Sequence, residues 1–141
     1  MVIEDVGREC AALRTRMAAR KVTRAYDEAL RPLGLKVTQF TLLIAIKQGA
    51  PDSISQLAEM LALERTTLTR NLQLLEKEGL VDVEPEGYRR ARSMSLTKKG
   101  EAKLKKALPI WRTTQNRIVA RLGKDRWNEA KILLGDLTEA M

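Results

Sequence analysis

The densest set of chemically able side chains lies between Arg65 and Asn71, where RTTLTRN gathers two guanidinium groups, three hydroxyls and an amide into two helical turns. Guanidinium forks and carboxamides match the donor and acceptor edges of bases, and hydroxyls serve bases or phosphates. Leu68, Leu72 and Leu75 recur at helical spacing on the other side of the same segment. A helix that served only a core would need the leucines and not the polar crowd. The means of catalysis are missing elsewhere. The 141 residues include no histidine and one cysteine, Cys10, so neither a Ser-His-Asp nor a Cys-His nucleophile can be assembled, and zinc sites of Cys and His are excluded. The carboxylates are scattered among Lys and Arg, with no Gly-rich phosphate loop nearby. The expectation is no enzyme, no metal and no cofactor.

Charge points to a polyanion. The formal net charge is +8, and residues 89–106, RRARSMSLTKKGEAKLKK, hold +7 of it. Such a local field attracts nucleic acid or an acidic surface, although a solvated, solubilising face is the commoner meaning of a charge run. At 44% apolar and 31% charged, the composition fits one folded unit rather than a disordered or fibrous chain. No apolar run approaches the roughly 20 residues of a membrane span, and MVIEDVGREC lacks the layout of a secretory signal. A cytoplasmic protein with no membrane partner is expected, and a single cysteine agrees with a reducing compartment.

These residues need a frame. Residues from Ile3 to Arg31 read as one long helix of roughly 40 Å. Its apolar seam of Ile3, Val6, Cys10, Leu13 and Met17 steps by three and four. RPLG ends it, and VTQFTLLIAIKQGA follows as a buried helix with Thr38 as its N-cap. Ser53 and Gln56 match a capping box that opens a short helix whose inner face is Leu57, Met60 and Leu61. The polar-ended helix runs from Arg65 to about Glu78, with Gly79 ending it. Two short helices, a tight turn and base-reading groups on the second predict a helix-turn-helix, with a plain helical hairpin as the alternative.

The next segment weighs between them. Val81 and Val83, then Met94 and Leu96, alternate at strand period around a turn containing Pro85 and Gly87. The hairpin they predict carries Arg89, Arg90 and Arg92 at its tip, which suits phosphates or a narrow minor groove. From Thr97 to Leu122 a second long helix passes Pro109, where a kink is expected. A last helix carries Trp127, Ala130, Leu134 and Leu137. Trp111 and Trp127 both fall on apolar stripes and are expected to be core anchors. The surplus seams at the two ends argue for a helical interface between copies of the chain.

The stretches RPLGLKVTQFTLLIAI, SISQLAEMLALERTTLTRNLQLLEKEGLV and YRRARSMSLTKKG resemble those of the MarR family of winged-helix transcriptional regulators. That resemblance implies a mainly α fold with a small β-hairpin wing over a single domain, 1–141. Within it, 37–97 would form the winged helix-turn-helix lobe, while 1–36 and 98–141 would supply dimerisation helices. It also implies a homodimer on a palindromic operator in double-stranded DNA, acting as a repressor, with a small aromatic or phenolic effector. The expected DNA-facing residues are Ser53, Ser55, Gln56, Arg65, Thr66, Thr67, Thr69, Arg70, Asn71, Arg89, Arg90 and Arg92. By similarity, Thr66, Thr67, Thr69 and Arg70 fall where the family contacts bases and phosphates, and Arg90 falls on the wing arginine. Tyr88 stands where the family's wing usually has a carboxylate, for which Glu86 could substitute. The expected dimer contacts are Ile3, Val6, Cys10, Leu13, Trp127, Leu134 and Leu137.

One branch of the family senses organic hydroperoxides through a cysteine in the first helix. Counted back from Val22 and Tyr26, Cys10 lies two residues N-terminal of that position, and two residues turn a helical side chain by about 200°. Cys10 is therefore expected to pack beside Val6 and Leu13. A redox-responsive regulator using Cys10 and a winged helix used as a protein-interaction module are the alternatives.

Overall fold

The computed structural model describes residues 2–49, 53–84 and 93–141. In chain order the elements are α1 (Ile3–Glu9), α2 (Ala11–Leu30), a 3-10 turn (Arg31–Leu33), α3 (Val37–Lys47), α4 (Ile54–Met60), α5 (Arg65–Lys77), β1 (Val81–Val83), β2 (Met94–Leu96), α6 (Lys98–Leu122) and α7 (Lys124–Ala140). The strands form an antiparallel pair with Val81 opposite Leu96 and Val83 opposite Met94. This is the expected mainly helical winged-helix architecture.

α3 is the central element because it is apolar nearly all round. Phe40, Leu42, Leu43, Ala45 and Ile46 are buried on it. Leu57 of α4, Leu68, Leu72 and Leu75 of α5, and Leu80 and Val81 at the start of the hairpin close around it. The core reaches beyond residues 37–97, drawing Leu30 and Leu35 from before α3 and Leu104 and Ala107 from α6. Polar ties fix the same junction. The Asp27 carboxylate accepts from the Val37 N–H at 2.8 Å, Lys103 donates to the Leu33 carbonyl at 2.8 Å, and the Tyr26 hydroxyl donates to Gln115 across α2 and α6. Burial raises the Tyr26 pKa above its ordinary value.

Three local expectations change. The first helix is interrupted at Cys10, whose ψ of 113° is extended and separates α1 from α2. Arg14 stabilises the break by donating to the exposed carbonyls of Gly7 and Arg8 at 3.0 to 3.3 Å, so the seam is two helical pieces rather than one stripe. α3 begins one residue before Thr38, with Lys36 at its N-cap position. There the Gln39 side chain and the Asp27 carboxylate satisfy the first N–H groups in place of the threonine hydroxyl. Met60 is exposed rather than inward, and Ile54 and Ala58 join Leu57 on the buried face of α4.

Two junctions position the putting together of α5 and α6. At the exit of α5, Gly79 takes φ 73°, and the N–H groups of Gly79 and Leu80 return to Glu76 and Leu75 at 2.9 Å, a left-handed turn that glycine adopts without strain. The Thr97 hydroxyl donates to the Gly79 carbonyl at 2.6 Å and accepts from the Gly100 N–H at 3.0 Å. Lys99 donates to the Glu78 carbonyl at 2.8 Å. Gly100 lies so close to the Leu80 backbone that a Cβ there would stand 2.0 Å from its carbonyl oxygen. α6 then continues as a single helix through Pro109.

Candidate nucleic-acid interface

α4 and α5 meet in a four-residue connection whose tightest point is Ala62. Its φ of 52° is left-handed, and it stands where such turns favour glycine. The turn is held by the Ala62 and Leu63 N–H groups, which donate to Glu59 at 3.1 Å and Ala58 at 2.8 Å. Sequence periodicity marks a break here but carries no sign of the strained alanine.

The turn sets α5 with Leu68, Leu72 and Leu75 inward. Arg65, Thr66 and Arg70 stand exposed on the other side, and Thr67 and Thr69 are half-buried beside them. Arg65, Thr66, Thr69, Arg70 and Gln73 together line a shallow recess of about 350 Å³. Gln73 was legible on the polar face but was not among the expected contacts; its place one turn beyond Thr69 is the signal. Among the described residues neither Arg65 nor Arg70 is held in an ion pair. The α5 N-cap, Glu64, makes no side-chain cap on the first turn that carries Arg65.

Other expected contacts are already engaged within the fold. The Asn71 amide donates to the Thr67 carbonyl of its own helix at 3.0 Å. The Ser53 hydroxyl caps α4 by accepting from the Gln56 N–H at 3.3 Å, one half of the expected box. Ser55 and Gln56 are exposed on the first turn of α4. The basic run is likewise divided in use. Lys99 and Lys103 donate to backbone carbonyls, whereas Lys98, Lys105 and Lys106 are exposed. The hairpin pairing extends to Glu84, which donates to the Ser93 carbonyl at 2.9 Å. Glu86, Tyr88, Arg89, Arg90 and Arg92 lie outside the described residues.

A cleft of about 590 Å³ opens between α3, α4 and α6, lined by Phe40 and Ile44, Met60 and Leu61, and Leu108 and Trp111 among others. Trp111 is half-buried and stacks on Phe40 with ring centroids 6.4 Å apart and planes at 20°, so it is both a core contact and a cleft wall. Trp127 is half-buried on α7. The expected dimer residues carry their apolar groups outward in the single chain. Ile3 is 88% exposed and Leu134 53%, Val6, Leu13 and Leu137 are also exposed, and Cys10 is half-exposed.

Among the described residues there is no group of three or more His, Cys, Asp or Glu able to hold a metal. No single helix among them is long and apolar enough to cross a membrane; α2 and α3 pass that test only as a pair bent by 78°, and α3 is the core helix.

A sequence model of the MarR family matches residues 33–91. An uncharacterised HTH-type transcriptional regulator of Bacillus cereus is 35% identical over 83 residues, 59% of this chain and 55% of its own. The chain thus spans about half the length of the curated relatives it matches. Among solved structures, the transcriptional regulator MosR of M. tuberculosis in complex with DNA is 42% identical, with a TM-score of 0.84 over 94% of this chain and 96% of that one. A MarR family protein of M. tuberculosis in complex with p-aminosalicylic acid is 29% identical, with a TM-score of 0.66 over 91% and 97%.

Proposed function

The chain belongs to the MarR family of transcriptional regulators, not to a family of enzymes, and on that premise we propose that it binds palindromic double-stranded DNA as a homodimeric repressor released by a small aromatic effector. The observation that carries this reading is the outward face of α5. Arg65, Thr66, Thr69, Arg70 and Gln73 form one recess, and no ion pair among the described residues occupies either arginine. Groups of this kind at the N-terminal end of a second helix suit the major groove. The MosR structure with DNA, at 42% identity, supports the same use. Arg70 meets a base edge, Arg65 and the threonines hold bases and phosphates, and Ser55 and Gln56 touch the backbone from α4. Arg89, Arg90 and Arg92 act from the wing on phosphates or the minor groove.

Dimerisation joins Ile3, Val6, Cys10 and Leu13 to Trp127, Leu134 and Leu137 of the copies, because isolated chains leave Ile3, Val6, Leu13, Leu134 and Leu137 in water. The effector sits in the cleft at Trp111. Leu61 in its wall directly precedes the Ala62 turn, so a molecule pressing there shifts the start of α5. The complex of a family member with p-aminosalicylic acid supports a small-molecule site in this fold.

The test is affinity for the DNA upstream of the protein's own gene, measured across salt concentrations. A steep negative slope with preference for one site is expected. Arg70→Ala should weaken the cognate site by about 1 to 3 kcal/mol and relax preference at one base position. Arg90→Ala should weaken cognate and scrambled duplexes alike and make the salt slope shallower by about one unit. Equal affinity for all sequences in the unchanged protein would remove the proposal.

A further inference from the structure

Resting on the reading of the α3–α4–α6 cleft as the effector site, we infer that it takes an uncharged, planar aromatic molecule and rejects the carboxylate anion of the same size. Among the described residues its wall contains no Lys, Arg, Asp or Glu. Of those residues, two bring polar side chains to it, Thr41 and Gln48. The Thr41 hydroxyl already donates to the Thr38 carbonyl at 3.0 Å. Gln48 is exposed at the cleft, and its amide can both donate to and accept from a ligand hydroxyl or carbonyl. A neutral polar group is thus provided for, and a cation is not.

The nearest ionic pair is closed. Lys47 and Glu101 bridge α3 to α6 at 2.7 Å in an adjoining recess that shares Ile44, Gln48 and Leu108 with the cleft. A ligand carboxylate would have to displace Glu101 to reach Lys47, and Lys105, the other cation of that recess, is not part of the cleft wall. It would otherwise leave water without a compensating charge, which costs far more than leaving a hydroxyl with one partner. Shape acts in the same direction. The near-parallel rings of Phe40 and Trp111 make one wall flat, which favours a flat ring laid against it. The volume of about 590 Å³ suits a small molecule of two or three fused rings.

Titration calorimetry of the full chain with a naphthol and with the corresponding naphthoate, at neutral pH, tests this. The naphthol should bind, and the naphthoate should bind roughly tenfold or more weakly. Gln48→Lys or Thr41→Lys, each placing a cation at the wall, should narrow that gap; two sites guard against one variant failing to fold. Naphthoate binding as tight as naphthol in the unchanged protein overturns the inference and leaves the effector-site reading standing. Heat from neither ligand overturns both, as does naphthol binding that survives filling the cleft with Leu108→Trp.

Discussion

Six of the eleven residues of α3 are buried, whereas none of the seventeen residues of α7 is, although α7 carries Trp127, Ile132, Leu133, Leu134 and Leu137. α1 buries none either. Both regions are helical and rich in apolar groups, so helix propensity and composition do not separate them. What separates them is closure. The apolar side chains of α3, α4 and α5 find one another within the chain, and those of α1 and α7 meet water unless another surface covers them. The lobe is therefore expected to hold itself together, and the terminal helices to depend on a second copy.

The largest effect expected within the lobe is that of Leu75→Ala, which deletes a side chain that is 0% exposed and should lower unfolding free energy by about 2 to 5 kcal/mol. Chemical denaturation measures it. Gly100→Ala comes next and sharpens the contrast, because propensity alone would favour alanine in a helix by about 1 kcal/mol. The contact with the Leu80 carbonyl should reverse that sign and destabilise by about 1 to 3 kcal/mol. A stabilised Gly100→Ala protein would show that α6 does not seat against the hairpin as described.

Tyr26→Phe should cost about 1 kcal/mol through the lost hydrogen bond to Gln115, and it also has a pH signature. Burial raises the folded-state pKa of Tyr26, so the folded state holds the phenolic proton more tightly. Its contribution is complete below the ordinary tyrosine pKa of about 10 and fades as the pH rises through the raised value. The Phe variant should lose less stability over that alkaline window. Smallest for the lobe is the pair Leu134→Lys and Leu137→Lys on α7, both on exposed positions. It should leave hydrogen-exchange protection in α3 and α5 intact while sedimentation falls from twice 15.9 kDa to a single chain. Loss of protection in α3 would break the comparison, and an unmodified protein sedimenting as one chain would remove the need for a partner.

The lobe was legible because its signals are local and periodic. Leu68, Leu72 and Leu75, the Gly79 turn and the Val81–Leu96 hairpin all follow from spacing and turn chemistry, and each appears where the pattern put it. The break at Cys10 was hidden because a step of three and four continues through it, while its causes, an extended ψ and an Arg14 cap on backbone carbonyls, leave no trace in apolar spacing. Thr38 lost its capping role for a related reason. The competing acceptors, Gln39 and Asp27, reach the helix start from positions that a local rule does not weigh. In the candidate interface, residue type identified the exposed arginines and threonines. It could not tell that Lys99 and Lys103, in the same basic run as Lys105 and Lys106, are held on backbone carbonyls. The cleft was out of reach altogether, since its walls come from three helices distant in the chain.

The junction of Thr97, Lys99 and Gly100 with the end of α5 makes α6 a lever arm. Its 25 residues span about 38 Å at the helical rise, and its first turn is pinned to the end of α5 rather than joined by slack. In the proposed dimer, a tilt of about 5° at the far end of α6 would carry α5 sideways by about 3 Å, close to the 3.4 Å step between base pairs. The distance between two reading heads would then be a property of the scissor angle at the dimer, and an operator lengthened by one base pair would select for a change in α6 and α7 rather than in any residue that touches DNA.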